Sequence, residues 1–356
     1  MSYSDVVDDD HGYQNEMLSG RWSVHREPLA PSTVNLRVGQ ACMFLQWAHA
    51  HLLRDEFYVP MKTVHLKKAS AKSALGPKPV KTEVRQGKVR ANPKSLSLPT
   101  DAQVQRWLSA VYIKGEFTKG LMCETIIHTA IRREEAVQWR ADTLPLDKSD
   151  WKTRGGKVLV EVKYGTKGPK HITEDGECGP SRTIKMPRWL AEKLHEYRTV
   201  RRPVLRAMYV RDAKTEQERR LRMRNKPTRL FLSDFTGEPV SSYSLYTAWK
   251  NVSCLPFDEW SPHLGRHYWA CKILVNEVKN TYERLRRGEP PPANWATGQA
   301  ADCIMLQLKP QLGHISPETT QLYLEWIYDV FSDGGLTIEY AMELESIVAN
   351  SEPPND

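Results

Sequence analysis

Leu312-Gly-His-Ile-Ser-Pro-Glu-Thr-Thr-Gln-Leu-Tyr323 is the sharpest pattern in the chain: a Leu-Gly-His triplet, a Thr-Thr pair, and a tyrosine nine residues after His314. Working outward, three more polar clusters precede it: His263-Leu-Gly-Arg-His267, Tyr164-Gly-Thr-Lys-Gly168 and Thr129-Ala-Ile-Arg-Arg-Glu-Glu135. Each has an ordinary reading when taken alone. An Arg-Arg-Glu-Glu run on a helix is usually a solvated face, and Lys163 and Lys170 compete with Lys167 for any role at a loop tip. Tyr328, 14 residues after His314, is the nearest rival to Tyr323.

Together and in this order, the four segments resemble the motifs of the tyrosine recombinase (phage integrase) family over roughly Leu98 to Tyr328. The resemblance places the family's first arginine on Arg132, its hairpin lysine on Lys167, its His-x-x-Arg pair on His263 and Arg266, its last histidine on His314 and its nucleophile on Tyr323. It implies a site-specific DNA recombinase that cleaves through a 3′-phosphotyrosyl link and religates to a different 5′-hydroxyl, without metal, nucleotide or other cofactor. The residue types suit that chemistry. Guanidinium groups at Arg132 and Arg266 stay charged and offer forked donors to the non-bridging oxygens. Lys167 would protonate the leaving oxygen, His263 would help to deprotonate Tyr323, and His314 would donate to the phosphate. Glu135 would orient Arg132 or His263. His267 follows directly, but the His-x-x-Arg spacing favours His263.

The sequence departs from the family at Ala130, where glycine is commoner, and at Gly265, where leucine is commoner. The 48 residues from Arg266 to His314 are roughly twice the expected separation. The excess, about Val275 to Cys303 with Arg284-Leu-Arg-Arg287 and Pro290-Pro-Pro292, is expected to project toward DNA or a neighbouring subunit.

Charge agrees with a polyanion as partner. Eight acidic residues and no Lys or Arg lie from Glu325 to Asp356, so the net +8 of the whole conceals +16 on the remainder. Lys62 to Lys94 hold ten Lys or Arg and one acid, Glu83; this reads as a basic linker or arm with Lys62, Lys67, Lys68, Lys78 and Lys88 as candidate DNA contacts. Six scattered cysteines without a Cys-x-x-Cys pair suggest free thiols in a reducing compartment. The acidic start lacks a signal peptide, and the most apolar stretch, Ala41 to Leu53, is too short to span a bilayer, so a cytoplasmic, nucleoid-associated protein without membrane contact is expected.

The expected fold is mainly α with a small antiparallel sheet. A helical N-terminal core-binding domain with its basic linker would cover 1–94, the catalytic domain 95–330 and an acidic tail helix 331–356. Residues 1 to about 30 read as mobile. Ser32 reads as the N-cap of a helix to Leu53 whose apolar face carries Val34, Val38, Ala41, Leu45, Ala48 and Leu52. Thr100 caps another helix, and helical patterning runs from Leu121 to Trp139. Lys157–Lys163 and Ser181–Met186 read as paired strands. Trp326, Tyr328 and Tyr340 read as packing residues. In the tail, Leu336, Tyr340, Leu344 and Ile347 form one stripe that docks on an adjacent protomer or folds back on its own domain. The resemblance implies a homotetramer on double-stranded DNA, exchange of that helix between protomers, and room for accessory DNA-bending proteins. Two other readings share these residues: a type IB topoisomerase working alone, and an inactive DNA-binding relative.

Overall fold

The computed structural model describes residues 2–8, 10–67, 79–90, 96–173, 176–225, 227–284, 293–313 and 317–332. His314, Lys68, Lys78, the Pro290–Pro292 run and the tail stripe from Leu336 to Ile347 lie outside them. The described residues are mainly helical, with small antiparallel sheets. It divides into two compact units, Met1–Ser95 and Leu96–Asp356.

In the first unit, helices α1 (Tyr3–Val7) and α2 (Tyr13–Ser19) precede α3 (Pro31–Ala50). The segment read as mobile thus carries two helices, and Val6, Val7 and Met17 are buried together with Val34, Val38 and Cys42 of α3. The acidic run hid these three apolar side chains from a composition-based reading. The cap of α3 also differs from expectation. Ala30 is the N-cap, with no side-chain bond, and Pro31 occupies the first turn, where its missing N–H costs nothing. The helix stops at Ala50, so Leu52 falls beyond it at positive φ and is 92% exposed. The basic stretch is not a simple arm either. Strand β1 (Met61–Lys67) pairs antiparallel with β2 (Pro79–Arg85) over the full seven-residue register, because Thr63, Val64, Thr82 and Val84 supply β-forming residues between the lysines. Arg85 is buried and donates to the Tyr3 hydroxyl at 2.7 Å, which fixes this hairpin to α1.

The second unit opens with α4 (Asp101–Lys114), capped by Thr100 as the sequence predicts, with Gln103 returning a bond to the Thr100 N–H. Next come α5 (Phe117–Thr129) and the short α6 (Arg133–Val137). The expected single helix from Leu121 to Trp139 is thus broken. Ala130 takes a left-handed φ of 55°, ending α5. A three-stranded sheet follows, ordered β3 (Thr153–Arg154), β4 (Lys157–Val162) and β7 (Arg182–Pro187), with Val160 opposite Ile184 on the buried face. A smaller hairpin, β5 (His171–Thr173) and β6 (Gly176–Cys178), extends from its tip. Helices α7 (Arg188–Glu196), α8 (Arg202–Arg211), α9 (Glu216–Arg224) and α10 (Ser242–Lys250) lead to α11 (Pro262–Arg284).

The described part of the insert does not project. Helix α11 runs on to Arg284, and α12 (Ala293–Cys303) packs beside it through Ala296, Ala300 and Cys303. Tyr282 meets Trp295 edge-on with ring centroids 5.4 Å apart. The extra length thereby thickens a helical layer completed by α13 (Lys309–Leu312) and α14 (Pro317–Ser332). All six cysteines are unpaired thiols. Among the described residues, no helix is long and apolar enough to cross a membrane.

Gly265 has a packing reason. Trp107, Trp249 and Trp260 are fully buried together, and a Cβ at Gly265 would stand 2.7 Å from the Trp249 ring. Replacing Gly265 with leucine is expected to overpack this cluster and cost about 1–3 kcal/mol. Urea unfolding measures it, and an unchanged midpoint would refute the packing account.

Candidate active site

The site starts at the break after α5. With Ala130 left-handed and Arg132 extended, at φ −74° and ψ 156°, the chain turns so that Arg132 becomes the N-cap of α6. Glu135 then folds back in a capping box. Its carboxylate accepts from the Arg132 backbone N–H at 2.7 Å and from the Arg132 guanidinium at 2.9 Å.

A second arginine completes this arrangement. Arg182, at the start of β7, donates in fork geometry to both Glu135 oxygens at 2.7 and 2.6 Å. The Glu135 side chain is fully buried. Burial pushes its carboxyl up, but the Arg182 fork and the Arg132 bonds outweigh that and hold it below the ordinary value. Arg182 also donates through Nε to the Gln311 carbonyl at 2.9 Å. Buried Gln311 accepts from the Lys185 backbone at 2.7 Å and donates to the Thr129 carbonyl at 2.9 Å. The end of α5, strand β7 and helix α13 are thereby joined by polar bonds.

Arg266 enters from α11. It is 7% exposed, donates to the Ala130 carbonyl at 2.5 Å and also bonds the Leu312 carbonyl. Burial, and then the neighbouring Arg132, bring its pKa down to about 9, so it stays protonated at neutral pH. Next to it, His267 places Nδ1 2.9 Å from the Tyr323 hydroxyl, and its Nε2 lies 3.2 Å from Nε2 of the exposed His263. Burial, with His263 and Arg266 nearby, lowers His267 to about 4 and keeps it neutral. Tyr323 is 1% exposed; burial raises its hydroxyl pKa while Arg266 opposes the rise.

Lys167 is exposed near the tip of the β4–β7 connection. Gly165 holds that turn against α6: it has φ +68°, and a Cβ there would come 2.5 Å from the Glu134 carbonyl. Of the rival lysines, Lys170 pairs with Glu177 at 2.5 Å and Lys163 lies over the Tyr164 ring. Tyr328 is 46% exposed on α14, whereas Trp326 is partly buried against the apolar residues of α11 and α12. Lys62 and Lys88 are exposed in the first unit, and Lys67 closes β1. Among the described residues, no cluster of three or more His, Cys, Asp or Glu could hold a metal.

No protein-family model matches the chain, and no curated relative matches it by sequence. Among solved structures it is similar to an integrase fragment of the Tn1549 transposon in complex with transposon right-end DNA, at 14% identity and TM-score 0.38, over 74% of this chain and 69% of that one. It is also similar to the same integrase with circular intermediate DNA, at 14% identity and TM-score 0.37, over 72% of this chain and 69% of that one.

Arg132, Glu135, Arg266 and Tyr323 thus belong to one connected network, with His263 joined through His267. Sequence reasoning missed Arg182 and Gln311, which no motif marks. It passed over His267, although its spacing of four from His263 puts both on one helix face.

Glu135→Gln is expected to destabilise the protein by about 3 kcal/mol at neutral pH, because the Arg182 and part-buried Arg132 guanidinium groups lose their anion. The folded-state pKa of Glu135 is depressed, so its stabilisation is complete above the ordinary value of 4.5 and fades as pH falls through the folded value. Urea titrations at pH 7 and pH 3 should therefore show the wild-type advantage shrinking at the lower pH; a constant gap would contradict the ion-pair account.

Proposed function

We propose that the protein is a tyrosine-type site-specific DNA recombinase with Tyr323 as nucleophile. The observation that carries this reading is the pair of hydrogen bonds on one turn of α11. Arg266 binds the Ala130 carbonyl, two residues before Arg132, and adjacent His267 binds the Tyr323 hydroxyl at 2.9 Å. Segments 136 and 56 residues apart are thereby gathered around one point.

In this reading Arg132 and Arg266 clamp the two non-bridging oxygens of the scissile phosphate. Both are held from behind, Arg132 by the Glu135 carboxylate and Arg266 by two carbonyls, which reduces the ordering cost on binding. Tyr323 attacks phosphorus and displaces the 5′-oxygen, which takes its proton from Lys167; His314 donates to the phosphate. The phosphotyrosyl link conserves the bond for religation to a second strand, so no nucleotide or metal is called for. Double-stranded DNA is the partner, with Lys62, Lys67, Lys68, Lys78 and Lys88 as phosphate contacts and a homotetramer as the working assembly. Exchange of a tail helix between protomers would couple cleavage events around that tetramer.

The test is covalent trapping. Wild type and Tyr323→Phe are incubated with sheared DNA from the source element, denatured in detergent, and the attached DNA is sequenced. Wild type is expected to yield an adduct at a defined site and the phenylalanine variant none; Arg266→Ala is expected to lower adduct yield by at least about 100-fold. An adduct that survives Tyr323→Phe would remove Tyr323 from its role.

A further inference from the structure

The His-x-x-Arg spacing assigns proton removal to His263, but the structure puts another histidine between that ring and the tyrosine. We infer, on the recombinase reading, that His267 takes the proton from Tyr323 and His263 relays it to solvent.

The two rings are one turn apart on α11 and meet edge-on, with centroids 4.6 Å apart. His267 reaches the Tyr323 hydroxyl through Nδ1 at 2.9 Å and His263 through Nε2 at 3.2 Å. Two proton arrangements satisfy both contacts with neutral rings, and the one that can accept the phenol proton runs from Tyr323 outward. The Tyr323 hydroxyl donates to Nδ1 of His267. The hydrogen on Nε2 of His267 is donated to Nε2 of His263, whose own hydrogen sits on Nδ1. The chain then has one direction, from buried phenol to exposed imidazole.

The relay explains how a buried, weakly basic ring serves. His267 lies beside Arg266 and is half-buried, so a lasting imidazolium is unfavourable there. In the relay it need not hold the charge. As the Tyr323 oxygen bonds to phosphorus, its proton moves to Nδ1 of His267, and the proton on Nε2 moves to His263. The bond from phosphorus to the 5′-oxygen breaks, and that oxygen takes a proton from Lys167. The positive charge left by the phenol thus sits on exposed His263, where water screens it and accepts the proton. His267 touches the reacting oxygen and acts as a catalytic residue; His263 acts through it.

The experiment uses full-length protein and the DNA site recovered from the trapped adduct, synthesised with either oxygen or sulfur at the bridging 5′ position. Sulfur leaves without a proton, so it relieves a missing acid but not a missing base. Adduct formation is timed for wild type, His267→Asn, His267→Gln, His263→Ala and Lys167→Ala, with thermal unfolding confirming that each is folded. Asparagine presents an amide where Nδ1 stood, so it can hold the phenol but cannot pass a proton. His267→Asn and His267→Gln are expected to slow adduct formation about 100-fold on both substrates, and His263→Ala about tenfold, since water replaces the exposed ring. Lys167→Ala is expected to be slow with oxygen and to recover with sulfur.

A wild-type rate in His267→Asn would overturn the proposal, leaving His267 as a positioning residue. Recovery of His267→Asn with sulfur would overturn it too, by assigning the ring to the leaving oxygen. Both outcomes keep the recombinase reading intact as long as the adduct depends on Tyr323. Absence of a Tyr323-dependent adduct in wild type would instead bring down that reading and the relay with it.

Discussion

The Glu135 carboxylate, fully buried and gripped by two guanidinium groups, is the constraint on which the rest of the site depends. An isolated carboxylate could not be placed there, because desolvation costs several kcal/mol and only close, well-oriented cations offset it. Arg182 from β7 and Arg132 from the α5–α6 turn must therefore both be in position. Once Arg182 is fixed, its third bond reaches the carbonyl of Gln311, and Gln311 in turn bonds the end of α5 and the edge of β7. Sheet, turn and helix are set relative to one another by polar contacts that have few alternative geometries.

The same cluster carries an imbalance of charge. Arg132, Arg182 and Arg266 surround one carboxylate, and Arg266 bonds only carbonyl oxygens among its recorded partners. Its depressed pKa expresses that shortfall: burial and a neighbouring guanidinium penalise the cation. An anion arriving here would be met by charge already desolvated and already oriented. The cost of assembling the charges falls on folding, which is where a preorganised site bears it.

Much of this was legible in sequence and some was not, for identifiable reasons. The alternation of Lys157–Lys163 announced a half-buried strand, and Thr100 announced a helix start, because both depend on neighbours in the chain. The resemblance carried by the four segments together singled out Arg132, Lys167, Arg266 and Tyr323 as candidates, which no one segment does by itself. Arg182 and Gln311 carry no local signal, since their importance comes from residues 47 and 126 positions away. The break at Ala130 was invisible for a different reason: its left-handed backbone is imposed by tertiary packing on a residue that prefers helix. The hairpin at Met61–Arg85 was masked by lysines that alternate with β-formers, and the folded N-terminus by acidic residues around three buried apolar side chains. Charge hid structure in both places.

Tyr323 is buried together with Leu274, Val275, Leu312 and Ile327, so its ring is part of what holds α14 to α11. Packing uses the ring carbons, and the chemistry proposed for this site uses one oxygen. Substitution by phenylalanine preserves the ring and leaves only a histidine nitrogen unpaired, a penalty of about 1–3 kcal/mol. Tyrosine and phenylalanine codons differ by a single base. A lineage of such chains can therefore fall silent in one mutational step while each member still folds, and the fold offers little selective resistance to that drift. Only selection on the oxygen itself keeps the position a tyrosine.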